Sequence, residues 1–329
     1  MNRRLLPVLT VATAAAYVLT GCAATPSPTA SEGTKIQVVA STNVYGSIAA
    51  QIGGDRVEVT SIITSLAQDP HSYEATARDR LAVQSADLLI ENGGGYDHFM
   101  EQLREGLDIV VVTAVESSHD FPGDGHDDHD DNHHDDDHDD DHDDDHDHHG
   151  HNHIEGFNEH VWFDVHTMIH VVEEIADELT ELDAAGAASY EAAADALIAD
   201  LEKLEAQTKA LREEFAGSAV FITEPLAGYL ALALGLDDHT PEGFAESLEA
   251  GTEVSPAILL EAIELIQSGQ LKALISNAQT GGAETDRVEA EAKSAGVTVV
   301  SFTELLPDAK TYAEWMQDAI NSLADALRA

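Results

Sequence analysis

Cysteine is almost missing from this chain: Cys22 is the only one among 329 residues. An intramolecular disulfide framework is therefore excluded. Basic side chains are scarce as well, 15 Lys and Arg against 63 Asp and Glu, for a formal net charge of -48. Phosphate backbones bind to basic surfaces, so this balance argues strongly against a nucleic acid partner and suits the binding of cations. Catalytic signatures are missing too. There is no G-x-S-x-G, no Walker A and no complete G-x-G-x-x-G, because Gly93-Gly94-Gly95-Tyr96 has the wrong spacing. His166 and His170 stand four residues apart and in principle could share a metal. A zinc hydrolase of the H-E-x-x-H type needs Glu where Thr167 stands, and both histidines are read as ordinary helix residues. His98 and His239 form no constellation. The apolar run from Leu5 to Leu19 falls short of the roughly 20 residues of a membrane span.

That run makes sense as an address. Arg3 and Arg4 precede it, and Leu19-Thr20-Gly21-Cys22 follows it, which resembles a bacterial lipobox. Residues 1–21 are read as a lipoprotein signal peptide, with Cys22 lipidated and the mature chain held on the extracytoplasmic face of a membrane. Residues 22–34 are read as a flexible Pro/Ser/Thr/Ala tether.

The remainder, 43% hydrophobic over the whole chain, can bury a core. Short apolar runs such as Lys35–Ala40, Val57–Ile63, Asp87–Glu91 and Asp108–Thr113 alternate with helical patterns. Alternation resumes after residue 217, with strands at Ser218–Thr223, Leu271–Ser276 and Val297–Phe302. This predicts an α/β protein of two lobes built from parallel-type βα units, 35–183 and 217–329. Between them Ala187–Phe215 carries Ala, Glu and Leu at helical spacing for nearly thirty residues. It is read as a rigid helical strut, with the linking region placed at 184–216.

One segment breaks the pattern. Residues 124–153 hold 15 Asp and 11 of the 18 His, and Asp-Asp-Asp-His recurs three times, ending at His138, His142 and His146. With so few apolar residues and so much like charge, the insert 119–155 is predicted to be disordered. Asp or Glu alone would serve solubility; imidazole adds affinity for zinc, copper and nickel. His126, His129, His133, His134, His138, His142, His146, His148, His149, His151 and His153 are thus candidate ligands of a loop that binds several ions weakly.

Elsewhere the candidate ligands are scattered: His71 in a Pro-marked turn, His160 ahead of a helix, Glu224 at a strand end before Pro225. Ligands of open α/β sheets bind at the carboxyl ends of strands. Taken in order, Ile52-Gly53-Gly54-Asp55, DPHSYE (69–74), Ala86–Gly93, EHVWFD (159–164) and TEPLAGYLALALGL (223–236) resemble the substrate-binding lipoproteins of zinc and manganese ABC transporters, the cluster A-I family. The match runs over nearly the whole mature chain.

The resemblance implies a two-lobed fold with a long linking helix and one divalent metal in the interlobe cleft. It implies partnership with a membrane permease and an ATPase, and no enzymatic activity. It maps the family's ligands onto His71, His160 and Glu224. The fourth ligand, usually Asp, falls near Thr303, and Glu304 is taken as its substitute. Two imidazoles and two carboxylates suit tetrahedral Zn²⁺, or Mn²⁺ with expanded coordination. The His-rich insert favours zinc. Alternatives are a manganese-specific protein of the same type, an adhesin or metal-buffering lipoprotein, and a secreted zinc hydrolase. Asp164 is read as a helix cap, outside the metal site.

Overall fold

Strand propensity and helix caps place the elements. In the computed structural model, which describes residues 35–122, 154 and 156–329, the apolar run at the start forms β1 (Ile36–Thr42), almost wholly buried as a central parallel strand must be. It is followed by α1 (Asn43–Gly53), β2 (Val57–Ile63), α2 (Ala77–Gln84), β3 (Leu88–Glu91), α3 (Phe99–Arg104) and β4 (Val110–Thr113). Helix α2 starts at a capping box in which Thr76 and Asp79 satisfy each other's backbone amides. The strands pair in the order β2-β1-β3-β4, all parallel.

Two helices follow, α4 (Val165–Leu182) and α5 (Ala187–Phe215). Asp164 caps α4, accepting from the amide of His166 and from Thr167 Oγ1 at 2.6 Å. The 29 residues of α5 span about 43 Å at 1.5 Å each. Its buried face, including Tyr190, Ala194, Leu197, Leu201 and Leu204, recurs every three or four residues, giving one apolar stripe that packs on α4, α1 and the last helix. Asp183, between α4 and α5, pairs with Arg56 and accepts from Tyr190 Oη at 2.9 Å, tying the start of the strut to the first lobe.

The second lobe repeats the first. It contains β5 (Ala219–Ile222), α6 (Gly228–Ala233), β6 (Asp237–Asp238), α7 (Phe244–Glu249), α8 (Pro256–Gln267), β7 (Ala273–Asn277), α9 (Ala283–Ala295), β8 (Thr298–Phe302) and α10 (Tyr312–Arg328). The strand order is β6-β5-β7-β8, again parallel. Helix α8 has Ser255 at its cap and Pro256 at its first position. Helix α10 packs on β8, α5 and α1, and so touches both lobes. Phe163 meets Phe302 and Trp315, and Tyr312 Oη donates to the Trp162 carbonyl at 2.7 Å. One hydrophobic cluster therefore runs through both lobes.

The helix expected over Leu226–Leu234 is broken. Pro225–Ala227 forms a 3-10 turn, and α6 starts only at Gly228. Residues 244–249, given no element in the sequence reading, form α7. The signal peptide, the tether, Cys22 and all eleven histidines of the insert lie outside the described residues.

Candidate metal site

The site grows from the carboxyl ends of the strands. After β2, the chain enters the turn Asp69-Pro70-His71. Asp69 accepts from the His71 amide at 2.9 Å and from Ser72 Oγ at 2.7 Å, which fixes the turn that carries His71. The His71 ring meets Tyr96 edge-on at 4.8 Å between centroids and lies 5.7 Å from the His160 ring.

His160 is 2% exposed and packs against Trp162 and Tyr96. Its Nδ1 lies 2.8 Å from Asn158 Oδ1. The orientation of that amide follows from its other end, where Asn158 Nδ2 donates to the Pro225 carbonyl at 2.9 Å. An acceptor therefore faces Nδ1, which carries the proton, and Nε2 is the basic nitrogen. Such a partner fixes both the tautomer and the orientation of a metal-ligating histidine. Gly228 makes room for it: a Cβ there would sit 2.8 Å from Asn158 Nδ2. Tyr229 Oη donates to the Asn158 carbonyl at 2.8 Å. The segment around Glu224–Tyr229 of the second lobe thus clamps a residue that steers a histidine of the first.

The second lobe contributes carboxylates. Glu224, after β5, is 6% exposed; its Oε2 accepts from Asn277 Nδ2 at 3.0 Å and from Thr280 Oγ1. Its Oε1 is buried with no hydrogen-bond partner among the described residues. Glu304, after β8, is 1% exposed, accepting from Asn277 at 2.7 Å and from Tyr96 Oη at 3.2 Å. Thr303 instead donates to the Leu305 carbonyl within its own turn. Of the two residues considered for the fourth position, Glu304 is the one whose side chain reaches the groups around Glu224.

Burial dominates the electrostatics here. It raises the Glu224 carboxyl above its usual range, with Asp69 adding repulsion. Burial, Asp69 and Glu224 together push Glu304 up to about 7. Two carboxylates sharing one amide with little solvent cannot both ionise cheaply unless a cation joins them.

Sequence reasoning missed Glu249, the last residue of α7. One donor atom each of His71, His160 and Glu249 lies within 4.8 Å of the others. Glu249 Oε1 is 3.7 Å from His160 Nδ1. Burial together with Glu159, Glu224 and Glu304 pushes the Glu249 carboxyl up to about 9. Asp69, His71, Glu224 and Glu249 line a cavity of about 390 Å³. Tyr96 and Asn277, which hold the carboxylates, were also not anticipated. Away from this cluster, His166 and His170 lie on the exposed face of α4 with ring centroids 5.1 Å apart, His166 against Glu205 and His170 against Glu173.

Comparison with known proteins follows the same lines. The family model for ZnuA, the periplasmic component A of the zinc-uptake complex, matches residues 38–326. The chain is 28% identical over 264 residues to the manganese-binding lipoprotein MntA of Halalkalibacterium halodurans, covering 79% of this chain and 76% of that protein. It is 28% identical over 193 residues to the zinc-binding protein AdcA of Streptococcus pyogenes serotype M3, covering 57% of this chain and 36% of AdcA. The fold is similar to that of the periplasmic zinc-binding protein TroA from Treponema pallidum, with a TM-score of 0.67 at 20% identity, over 89% of this chain and 99% of TroA.

Proposed function

Since this chain belongs to the ZnuA family of periplasmic solute-binding proteins, which are not enzymes, we propose that it captures a divalent transition metal, Zn²⁺, and delivers it to the permease of an ABC importer. The observation that carries the reading is the meeting of two imidazoles from the first lobe with buried carboxylates of the second. One carboxylate oxygen there, Glu224 Oε1, has no hydrogen-bond partner among the described residues. His71, His160, Glu224 and Glu304 are the ligands of this reading. Two neutral imidazoles supply the nitrogen donors that suit zinc, and two carboxylates neutralise the ion. An ion held by both lobes stabilises one interlobe arrangement, which is what a permease distinguishes from the empty protein.

Further parts of the proposal lie outside the described residues. Cys22 anchors the chain by lipid on the extracytoplasmic face, and the histidines of the insert gather zinc weakly. Zinc is favoured by this insert, because hard Mn²⁺ gains little from imidazole. Manganese is the second reading, favoured by the number of carboxylates in the cleft and by the likeness to MntA.

The test is elemental analysis of protein purified without added metal, followed by titration with Zn²⁺ and Mn²⁺ in competition with a chromogenic chelator. One tight ion per chain, lost in His71→Ala, is expected. A tight ion retained by His71→Ala refutes this placement.

A further inference from the structure

Helix α7 is short and is held at one end. Phe244, its first residue, is fully buried and packs edge-on against Phe221 of β5 at 5.0 Å. Glu249 is its last residue. Glycines in the left-handed region bracket the segment, Gly243 with φ 82° and Gly251 with φ 64°. There the chain turns into and out of the helix in a conformation that residues with a Cβ rarely adopt. The backbone thus delivers a single carboxylate to the cleft from an element unrelated to the strand ends that carry Glu224 and Glu304.

Glu249 stands close to both histidines, its Oε1 3.7 Å from the protonated Nδ1 of His160, and its side chain turns past that ring edge to reach an ion on Nε2. Its donor atom and one from each imidazole fall within 4.8 Å of one another, slightly wider than the donors of one ion stand, so a small side-chain rotation brings them onto it. Its Oε1 is buried and accepts no hydrogen bond among the described residues. Glu224 Oε1, on the wall of the same cavity, is in the same condition, in a residue only 6% exposed. Glu249 also borders a second cavity of about 440 Å³, lined by Asn158, Glu159 and Pro225. Bordering two cavities leaves the carboxylate space to turn toward an ion.

We propose that Glu249 is a direct donor to the cargo metal, supplied by α7 in addition to the strand-end carboxylates, and that it biases the cleft toward ions that accept more than four donors. The proposal rests on the metal-capture reading. Tetrahedral Zn²⁺ is satisfied by two imidazoles and two carboxylates, whereas Mn²⁺ takes a larger, oxygen-rich shell. A third carboxylate consequently contributes more to manganese than to zinc.

The experiment compares wild type, Glu249→Gln, Glu249→Asp and Glu242→Gln, the last an exposed carboxylate just before α7. Affinities for Zn²⁺ and Mn²⁺ are measured by chelator competition, and the metal's shell by X-ray absorption. Glu249→Gln is expected to lose Mn²⁺ affinity by about 100-fold or more, beyond the roughly 10- to 100-fold that removing an outer-shell partner costs. The Zn²⁺ loss should be smaller, and one oxygen should leave the manganese shell. Glu249→Asp should recover part of the loss, and Glu242→Gln should match wild type. Affinities of Glu249→Gln within twofold of wild type, with an unchanged shell, overturn the proposal and leave metal capture intact. If His71→Ala keeps the tight ion, the metal-capture reading fails first and this proposal falls with it.

Discussion

The metal-free protein should lose stability as the pH rises, and Glu304 should account for a measurable share. Its carboxyl is pushed from the ordinary 4.5 to about 7, chiefly by burial. A carboxyl raised on folding favours the folded state fully below its unfolded value. That advantage is lost as pH climbs through the folded value, because the unfolded chain then ionises more easily. With these two values, going from pH 5.5 to pH 8 removes about 2 kcal/mol through Glu304 alone, at 1.36 kcal/mol per pKa unit. Glu249, raised to about 9, and Glu91, raised to about 7 by burial and Asp97 against the pull of Arg104, act in the same direction. Asp183 and Glu289, whose carboxyls are lowered, act oppositely, but their effect is confined to pH below their ordinary values and is complete by pH 5.5. Urea denaturation of the metal-free protein at pH 5.5 and 8 reads the slope directly. Glu304→Gln keeps the shape and can still accept from Asn277, and it should flatten the slope by about 2 kcal/mol across that interval. Bound metal should flatten it too, since a cation holds the carboxylate ionised, and should add about 2.7 kcal/mol at free metal 100-fold above Kd. An equal pH dependence in metal-free wild type and Glu304→Gln would refute the reasoning.

Other outcomes follow from the same geometry. Gly228→Ala should leave thermal stability nearly unchanged, because the contact it creates is with the tip of Asn158, yet weaken metal binding by turning that amide away from His160; melting curves and chelator competition report the two effects separately. Glu224→Ala should weaken tight binding far more than Asp164→Ala, which should instead cost about 1 kcal/mol of folding stability as a lost helix cap, measured by denaturation. Deleting residues 120–153 should leave the single tight site and remove several weaker ones, counted by equilibrium dialysis. The weaker sites should empty as the pH falls through about 6, where unperturbed imidazole protonates.

How far the site can be read from sequence depends on where its parts come from. Helix α5 was legible to the residue because 29 positions repeat one apolar stripe, and a signal of that length survives any local ambiguity. Seven of the eight described strands were legible as apolar runs between turns; β6, the exposed pair Asp237–Asp238, was not. Helix α7 was not: its six residues hold less than two turns, too few for periodicity to declare itself, and with α7 went Glu249. Tyr96 and Asn277 were hidden for another reason. Tyr96 reaches Glu304 across 208 positions and Asn277 joins Glu224 to Glu304, and neither residue type advertises a metal site. His71, His160 and Glu224 stood out because each sits in a short motif at the end of a strand or the start of a helix. What makes those motifs useful together is the packing of α10 and the Asn158 clamp, and neither is written in any one of them. A cleft of this kind is specified twice: locally, by turns that aim single side chains, and globally, by a core shared between lobes that brings imidazole and carboxylate within reach of one ion.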